Sequence, residues 1–239
     1  MRLDQTIAAR FPEISRRQAR ELIASRRILV NDRPVSIASR HTSPSDRIVI
    51  VDDKLPELDV IASGADWIAL NKPGGMPVQP PADRSARSLE ELLRLRCDEV
   101  YLIHRIDTPA SGVVLFATTR AAAARLSELF ATRQMRKTYL VAVDAPLDEE
   151  RMIVTPVDEK NATTHIRPAA GRLIEIDIET GRTHQIRVHL ASIGRPVVGD
   201  RRYGGSPGSR LMLHAWKLEH GTVGTLVAPP PVEFDAFRK

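Results

Sequence analysis

The sequence of 239 residues has very little of what builds disulfide-bonded or membrane proteins. Its single cysteine, Cys97, excludes an internal disulfide framework and is typical of a reducing compartment, where a lone thiol is usually inert. No apolar run approaches the roughly 18 to 20 residues of a membrane span, and the first residues, Met1 to Asp4, contain no apolar core of a secretory signal. We therefore expect a cytoplasmic protein without a membrane partner.

Sequence motifs for the common cofactors are missing as well. There is no Gly-x-Gly-x-x-Gly or Gly-Lys-Ser/Thr phosphate loop, so no nucleotide cofactor is expected. His184 and His189 are five residues apart, which places them on different faces of a helix or strand, and the other histidines show no metal-ligand spacing. Ser111 lies in a turn-like Ala-Ser-Gly stretch and not in a Gly-x-Ser-x-Gly nucleophile motif. The sequence thus predicts neither a metal nor a cofactor.

Positive charge, in contrast, is plentiful and concentrated at one end. The net charge is +5, and residues 1–50 contain ten arginines against five acids, so the whole excess lies there. Such a distribution favours a polyanionic partner, RNA or DNA, with a merely solvated basic face as the alternative.

The N-terminal pattern predicts two short helices followed by strands. Leu3, Ile7 and Phe11 repeat every four residues, and Ser15-x-x-Gln18 is typical of the box that caps a second helix. Strand-like runs and turns complete a compact unit of about 55 residues. Five arginines lie outside the apolar stripe of the second helix and are the candidates for RNA contact: Arg16, Arg17, Arg20, Arg26 and Arg27.

This N-terminal pattern resembles the alpha-L RNA-binding domain of a small-subunit ribosomal protein and several RNA-modifying enzymes. The matching residues are Arg-Leu-Asp near the start, Ser15-Arg16, Ile28-x-Val30-Asn31 and Asp46-x-Ile48. Arg26, Asp32 and Ser45 replace glycines that are common in that family, which predicts looser turns at these positions. The resemblance implies RNA binding through the basic surface.

An acidic, proline-containing composition over residues 52–65 predicts a linker. We therefore divide the chain into an N-terminal domain at 1–55, a linker at 56–65 and a larger domain at 66–239.

The larger domain has mixed strand and helix patterns. Strands are predicted at 67–70, 137–143 and 174–178, and helices at 120–134 and from a cap at Thr183 to Gly194. Alternation of isoleucine with acidic residues over 174–179 is typical of a half-buried antiparallel strand. The predicted fold class is α+β, built around a largely antiparallel sheet flanked by helices.

One acidic residue stands out in the stretch from His104 to Gly112. Asp107 lies between a basic pair and a turn of small residues, and the cation of Arg105 favours its ionised form, which could act as nucleophile or base. The alternative is a turn-capping aspartate, which the following Thr-Pro favours. Arg187 belongs to a second cluster of polar residues, Gly181 to His189. A buried arginine needs a carboxylate partner, and Asp107 is a candidate for that role.

Together these stretches resemble the RluA-type family of pseudouridine synthases, over roughly residues 65–235. The matching motifs, in chain order, are Asn71-Lys72-Pro73-x-Gly75, His104-Arg105-Ile106-Asp107-x-x-Ala110-Ser111-Gly112, Lys137-x-Tyr139, Gly181-Arg182-Thr183-His184-Gln185-Ile186-Arg187, Gly199-Asp200-x-x-Tyr203-Gly204 and Leu213-His214-Ala215. Ile106 and Ala110 depart from the leucine and threonine usual in the family, and Ala110 removes a hydroxyl that could brace the loop.

The resemblance implies a role for each matching residue. Asp107 would attack the target uridine at the ribose anomeric carbon or on the uracil ring, and Arg105 would fill the space that the flipped nucleotide leaves. Tyr139 would stack on the extruded base and could assist proton transfer, although a core tyrosine is the alternative. Arg187 would orient Asp107. Further substrate contacts are expected from His104, Lys72, Arg182 and Gln185.

The expected function is therefore an RNA pseudouridine synthase, a cofactor-independent isomerase acting on structured RNA. Ribosomal RNA is the first candidate substrate and transfer RNA the second. One alternative is a catalytically silent RNA-binding or ribosome-assembly factor that keeps the fold, and another is a hydrolase built on Ser111. A monomer is expected because no heptad repeat or long apolar surface stretch is present.

Overall fold

The structure is a computed structural model that describes residues 1–51, 57–83 and 86–239. The chain divides into two compact units, one of residues 1–57 and 90–99, the other of residues 58–89 and 100–239. Part of the predicted linker, residues 52–56, lies outside the described residues.

Two helices and a small sheet form the N-terminal unit. The elements are α1 (Leu3–Arg10), α2 (Arg16–Ala24), β1 (Ile28–Val30), β2 (Arg33–Pro34) and β3 (Ile48–Ile50), and the sheet order is β2-β1-β3. The predicted capping box is confirmed, because Ser15 Oγ accepts from Gln18 N at 3.2 Å and the Gln18 side chain reaches back to Ser15 N. Apolar side chains from both helices and β1 make the core of this unit.

The turns of the N-terminal unit are not looser at two of the three positions that lack glycine. Arg26 and Asp32 take left-handed backbone angles, with φ of 58° and 65°, as a glycine would. Asn31, with φ of 52°, precedes Asp32 in the two-residue loop between β1 and β2. The prediction of looser turns is wrong there. The two-residue hairpin loop requires this backbone at Asp32 whichever side chain carries it, and Arg26 takes it just after α2, where the Arg27 amide donates to Leu22 O and closes the end of the helix.

A ten-stranded sheet organises the larger unit. Its strands are β4 (Val60–Ser63), β5 (Trp67–Lys72), β6 (Tyr101–Leu102), β7 (Ser111–Ala117), β8 (Arg136–Ala142), β9 (Arg151–Ile153), β10 (Thr164–Pro168), β11 (Leu173–Ile178), β12 (Leu213–His220) and β13 (Gly224–Val227). Eight of them follow the order β4-β5-β7-β12-β8-β11-β10-β9, while β6 pairs with β7 and β13 with β12. All pairs are antiparallel except β7 with β12, which confirms the predicted α+β class with a largely antiparallel sheet.

Helices α4 (Arg120–Ala131) and α5 (Gln185–Ser192) belong to this unit, and α3 (Leu89–Arg94) spans the boundary between the two. None of the helices in the described residues is both long and apolar enough to cross a membrane.

Two sequence predictions for this unit fail locally. Residues 60–63 of the predicted linker form β4, which pairs with β5 at the edge of the sheet. Backbone hydrogen bonds define an edge strand, so its half-exposed side chains give a weak sequence signal. Thr183 does not cap α5, because the residue before the helix is His184 in a left-handed conformation. Gly194, with φ of 67°, ends this helix as predicted.

The parallel pair of strands begins directly after the Asp107 loop. Ser111 and Gly112 at the start of β7 lie opposite His214 and Ala215 of β12. A side chain at Gly112 would overlap the Ala215 backbone, and its φ of 117° is open to glycine. This close approach fixes the end of the loop that carries Asp107.

Candidate active site

Asp107 lies in the loop between β6 and β7. The turn is closed by the backbone, since Ala110 N donates to Asp107 O at 3.0 Å. The Asp107 carboxylate, in contrast, accepts a hydrogen bond from Arg187 Nη1 at 3.2 Å. Its side chain keeps 22% of its surface exposed. The Asp107 carboxylate therefore does not cap the turn, and the structure disfavours the alternative of a turn-capping aspartate.

Arg187 is held between two carboxylates. Its Nε and Nη2 donate to Asp200 at 2.7 and 2.9 Å, while Nη1 is left for Asp107. Asp200 is completely buried, and burial acts to raise its pKa, but the hydrogen bonds and charge of Arg187 outweigh this and leave the pKa below its usual value. The same hydrogen bonds raise the pKa of Arg187. The guanidinium thus stays charged and fixed beside Asp107.

His184 approaches Asp107 from the start of α5. Its Nε2 lies 3.9 Å from Asp107 Oδ2, and its Nδ1 is 3.0 Å from the Tyr203 hydroxyl. Burial lowers the pKa of His184, with the nearby Asp107 acting in the opposite direction. The left-handed backbone, with φ of 57°, aims the ring at the carboxylate.

A cavity of about 860 Å³ opens beside these residues. Asp107, Tyr139 and His184 all line it, together with Arg105 and Arg182. Burial raises the pKa of Tyr139, and the negative charge of Asp107 raises it further, so its hydroxyl stays protonated. A carboxylate, a protonated phenol and two guanidinium groups around this open volume form a site for an aromatic ligand that carries negative charge.

Two family models match the chain in succession, that of the S4 domain over residues 1–48 and that of RNA pseudouridylate synthase over residues 66–192. The chain belongs to the RNA pseudouridylate synthase family. Its members are isomerases that act on RNA, and both the RluA-type resemblance and the enzyme class expected from the sequence are confirmed at this level.

Relatives of known name support this assignment. Ribosomal large subunit pseudouridine synthase D of Yersinia pestis is 31% identical over 241 residues, which cover 86% of this chain and 74% of that protein. The protein of the same name from Xylella fastidiosa is 33% identical over 261 residues, covering 95% and 76%. Among solved structures, human RNA pseudouridylate synthase domain containing 1 has a TM-score of 0.61 at 25% identity, over 73% of this chain and 84% of that one.

Two residues that the family resemblance suggested for substrate contact are instead internal to the pseudouridine synthase unit. Lys72 is completely buried, and its Nζ donates to the carbonyl oxygens of Pro73, Met76, Thr108 and Ala110 at 2.6 to 3.0 Å. Two of these acceptors, Thr108 and Ala110, follow Asp107 in its loop, so Lys72 braces the loop that Ala110 was expected to weaken. An ammonium that is enclosed by carbonyl groups cannot also contact substrate.

Gln185 is the second residue for which the structure contradicts the predicted substrate contact. Its Oε1 accepts from Thr180 and from the Arg182 amide, and its Nε2 donates to Thr163 O and Thr164 Oγ1. The amide is buried and its hydrogen-bonding capacity is used within the protein. Gln185 therefore anchors the start of α5, and it lines only the small pocket of about 70 Å³ beside Arg187, not the larger cavity.

His104 and Arg182 do line the cavity, as the sequence led us to expect. His104 stacks on Phe130 with ring centroids 4.7 Å apart, and its Nε2 accepts from Leu115 N. Burial, assisted by the charge of Lys137, lowers the pKa of His104 to about 3. It is thus a neutral wall residue, whereas Arg182 is half-buried and donates to Asn161 O.

Ser111 forms a buried pair with His214, which at first sight suits a hydrolase. Its Oγ is 2.8 Å from His214 Nδ1 and accepts from Arg210 at 2.6 Å. Ser111 is 1% exposed and His214 is fully buried, however, and neither lines the cavity. A substrate carbonyl could not reach this serine, so the geometry disfavours the hydrolase alternative.

The five N-terminal arginines differ in what they can offer to RNA. Arg16 and Arg20 each donate to the buried Asp4 at 3.1 Å but remain about half exposed, and Arg17 is 90% exposed beside Glu21. Arg27 Nε donates to Val51 O.

Arg26, one of these five arginines, was predicted to contact RNA, and the structure contradicts that prediction. Its guanidinium is largely buried, donates to Cys97 O and pairs with Asp98. Because these contacts lie within the N-terminal unit itself, Arg26 holds residues 90–99 in place and is not an RNA contact.

Asp200 and His184 are the site residues that the sequence patterns left without a role. The need of a buried arginine for a carboxylate partner could have indicated Asp200, because a guanidinium has two edges and Asp107 occupies one of them. In the described part of the chain no cluster of three or more His, Cys, Asp or Glu could hold a metal ion.

Proposed function

We propose that this protein is an RNA pseudouridine synthase in which Asp107 is the nucleophile, acting on ribosomal RNA. The observation that carries the proposal is the Asp107 carboxylate at the edge of the cavity, 3.2 Å from an arginine that Asp200 holds from its other side. Two of the relatives are named as acting on the large ribosomal subunit, which supports that class of RNA.

The chemistry needs no external reductant or energy source, because the product is an isomer of the substrate. Asp107 attacks either the ribose anomeric carbon or the uracil ring, and the bond from ribose to uracil N1 breaks. The ring turns, its C5 bonds to the anomeric carbon, and the carboxylate leaves. The proton on C5 is lost and N1 gains a proton, so the atoms balance.

The target uridine must leave its stack to reach Asp107. Flipping costs a few kcal/mol, which stacking on an aromatic side chain and a filling side chain offset. Tyr139 lines the cavity beside Asp107 and would stack on the uracil. Arg105 is exposed at the cavity edge, with one long contact of 3.4 Å to Gln79, and is available to enter the vacated space.

The N-terminal unit supplies affinity for the RNA backbone through its exposed arginines. Such contacts weaken as salt rises, because each phosphate contact releases counterions. A cytoplasmic location and a monomeric state complete the proposal.

Two measurements test the function. Pseudouridines in total RNA should be mapped in cells with and without the gene for this chain, and we expect at least one position, in ribosomal RNA, to lose its modification. Purified protein should release tritium from RNA labelled at uridine C5. If every position persists and no tritium is released, the catalytically silent RNA-binding factor is the correct reading. A serine-directed probe should leave the protein unlabelled, since Ser111 is buried.

A further inference from the structure

Lys137 is a buried lysine that the proposed chemistry does not use. It lies in β8 with 8% of its surface exposed, and it borders the cavity. An ammonium group has three donors. Within the described part of the chain, the one hydrogen bond that Lys137 Nζ makes is to Glu179 O, at 3.4 Å. Two of its three donors therefore have no acceptor among the residues that the structure describes.

The surroundings do not neutralise this charge. Among the described residues no carboxylate lies within ion-pair distance of Lys137, and the Glu179 carboxylate is paired with His165 at 2.9 Å and with Arg133 at 3.9 Å. His104 on the cavity wall is neutral. Burial lowers the pKa of Lys137, and the charge of Arg133 lowers it further, which is the signature of a cation without a counterion. A buried charge of this kind is costly until an anion meets it.

The position of Lys137 indicates which anion fits. Lys137 and Tyr139 are two residues apart on one strand, so their side chains point to the same face and are separated by about 7 Å. If the uracil stacks on Tyr139, the Lys137 ammonium lies close enough to contact a phosphate of the same or the adjacent nucleotide. A lysine is a compact point charge that suits a phosphate.

We propose that Lys137 binds a backbone phosphate of the RNA next to the flipped uridine, inside the cavity and apart from the arginines of the N-terminal unit. This inference rests on the proposed function, because it assumes that the target nucleotide enters beside Tyr139. Lys137 is then a binding residue that fixes the ribose relative to Asp107.

The test compares Lys137→Gln, Lys137→Arg and the control Lys217→Gln. Lys217 packs over the Trp216 ring outside the cavity, so its loss removes one charge without touching the site. Tritium release from RNA of cells lacking the protein is measured as kcat/KM over a range of KCl concentrations. For Lys137→Gln we expect a loss of about tenfold and a salt slope smaller by about 0.7, the value for one phosphate contact on a single strand.

Lys137→Arg should keep the wild-type salt slope, and Lys217→Gln should match wild type in kcat/KM. A thermal midpoint for Lys137→Gln at or above that of wild type shows that the fold is intact, since removing an unpaired buried charge does not destabilise it. If Lys137→Gln loses activity with an unchanged salt slope, Lys137 has a structural role and the proposal is overturned.

A substrate with one neutral linkage gives a second, sharper test. A synthetic RNA spanning a mapped site carries a methylphosphonate in place of one phosphate beside the target uridine. Wild type should lose about tenfold at one such linkage, and Lys137→Gln should lose nothing further there, because the two changes remove the same contact. Additive losses at every linkage would contradict the proposal.

Failure of the proposed function is distinguishable from failure of this inference. If wild type releases no tritium from any RNA, the function is wrong, and filter binding of the same RNA still reports the salt slopes. Equal binding slopes for wild type and Lys137→Gln would then refute the phosphate contact as well, whereas a slope smaller by about 0.7 would uphold it.

Discussion

At the scale of single residues, the site depends on how one arginine is shared by two aspartates. Asp200 is fully buried and accepts from two guanidinium nitrogens, Nε and Nη2, whereas Asp107 is partly exposed and accepts one bond at 3.2 Å. The buried carboxylate satisfies the charge of Arg187, so the exposed one is oriented without being fully engaged. This asymmetry suits the nucleophilic role that we propose for Asp107.

Replacing Asp200 by asparagine should therefore lower kcat more than it changes KM. Arg187 would lose its bidentate partner and turn toward Asp107, and a misplacement of 1 Å at a reacting group can cost about a hundredfold in rate. We also expect the free energy of unfolding to fall by about 3 kcal/mol, as when one member of a buried ion pair is removed. Steady-state kinetics of tritium release and denaturant unfolding measure the two effects.

Asp144→Asn is the matched control. Asp144 accepts from the Ser206 amide and hydroxyl. It thus anchors the loop of residues 199–206, which also carries Asp200, without touching Arg187. We expect it to reduce stability while kcat stays near wild type. If both variants lower kcat equally, Asp200 acts through the loop and the orientation argument is wrong.

His214 should make the stability of the protein sensitive to acid. Burial lowers its pKa from 6.5 to about 4, opposed by its hydrogen bond to Ala228 O and reinforced by the charge of Arg210. Between these two pKa values the unfolded chain binds a proton at His214 that the folded chain does not bind. The contribution of His214 to the free energy of unfolding is therefore fully present above about pH 6.5 and is lost as the pH falls toward 4. The loss from this residue should reach about 3 kcal/mol.

Denaturant unfolding of wild type and His214→Gln at pH 7 and pH 4.5 tests this prediction. The glutamine variant can donate to Ala228 O but cannot be protonated, so its stability should fall less between the two pH values. An equal fall in both proteins would mean that the acid sensitivity comes from other groups.

At the scale of secondary structure elements, the sequence correctly predicted those features that depend on residues close together in the chain. The capping box of α2, the alternating β11 and the glycine that ends α5 follow from hydrogen bonds or burial within a few residues. Edge strand β4 was taken for a linker, because its pairing with β5 depends on a partner that its own residues do not reveal.

The same limit applies to the site. Motif order picked out Asp107 and Tyr139, which line the cavity, and Arg187, which donates to Asp107 at 3.2 Å and lines the small pocket next to it. It did not separate residues facing that cavity from residues that support it, such as Lys72 and Gln185. The direction of a side chain depends on the packing of distant segments, and this information is not local.

The hairpin of β1 and β2 yields a stability prediction. Asp32 has φ of 65°, at a position where the two-residue turn favours glycine. Asp32→Gly should stabilise the protein by about 1 kcal/mol, because relief of the left-handed strain exceeds the value of the ion pair with the exposed Arg47. Thermal and denaturant unfolding measure this gain.

Ser45→Gly is the control for this change, because Ser45 has no positive φ. A glycine there should be neutral or slightly destabilising, since it only adds freedom to the unfolded chain. Stabilisation by both glycines, or by neither, would contradict the assignment of strain to Asp32.

At the scale of the whole molecule, the proposed function assigns RNA-backbone affinity and chemistry to different units. The basic excess of the first 50 residues lies in one unit, and the cavity with Asp107 lies in the other. Family membership fixes the reaction class, but the choice of uridine depends on surfaces outside the reacting residues. A variant that loses the reaction should therefore keep most of its affinity for RNA.

The most direct test of the account is Asp107→Asn. Wild type and variant are compared for tritium release from RNA labelled at uridine C5, and for binding of the same RNA at one fixed salt concentration. Asparagine keeps the size of the side chain and the contact with Arg187 but is not a nucleophile of this kind. We predict no detectable isomerisation with binding close to wild type; an Asp107→Asn protein that isomerises uridine at the wild-type rate would contradict the account.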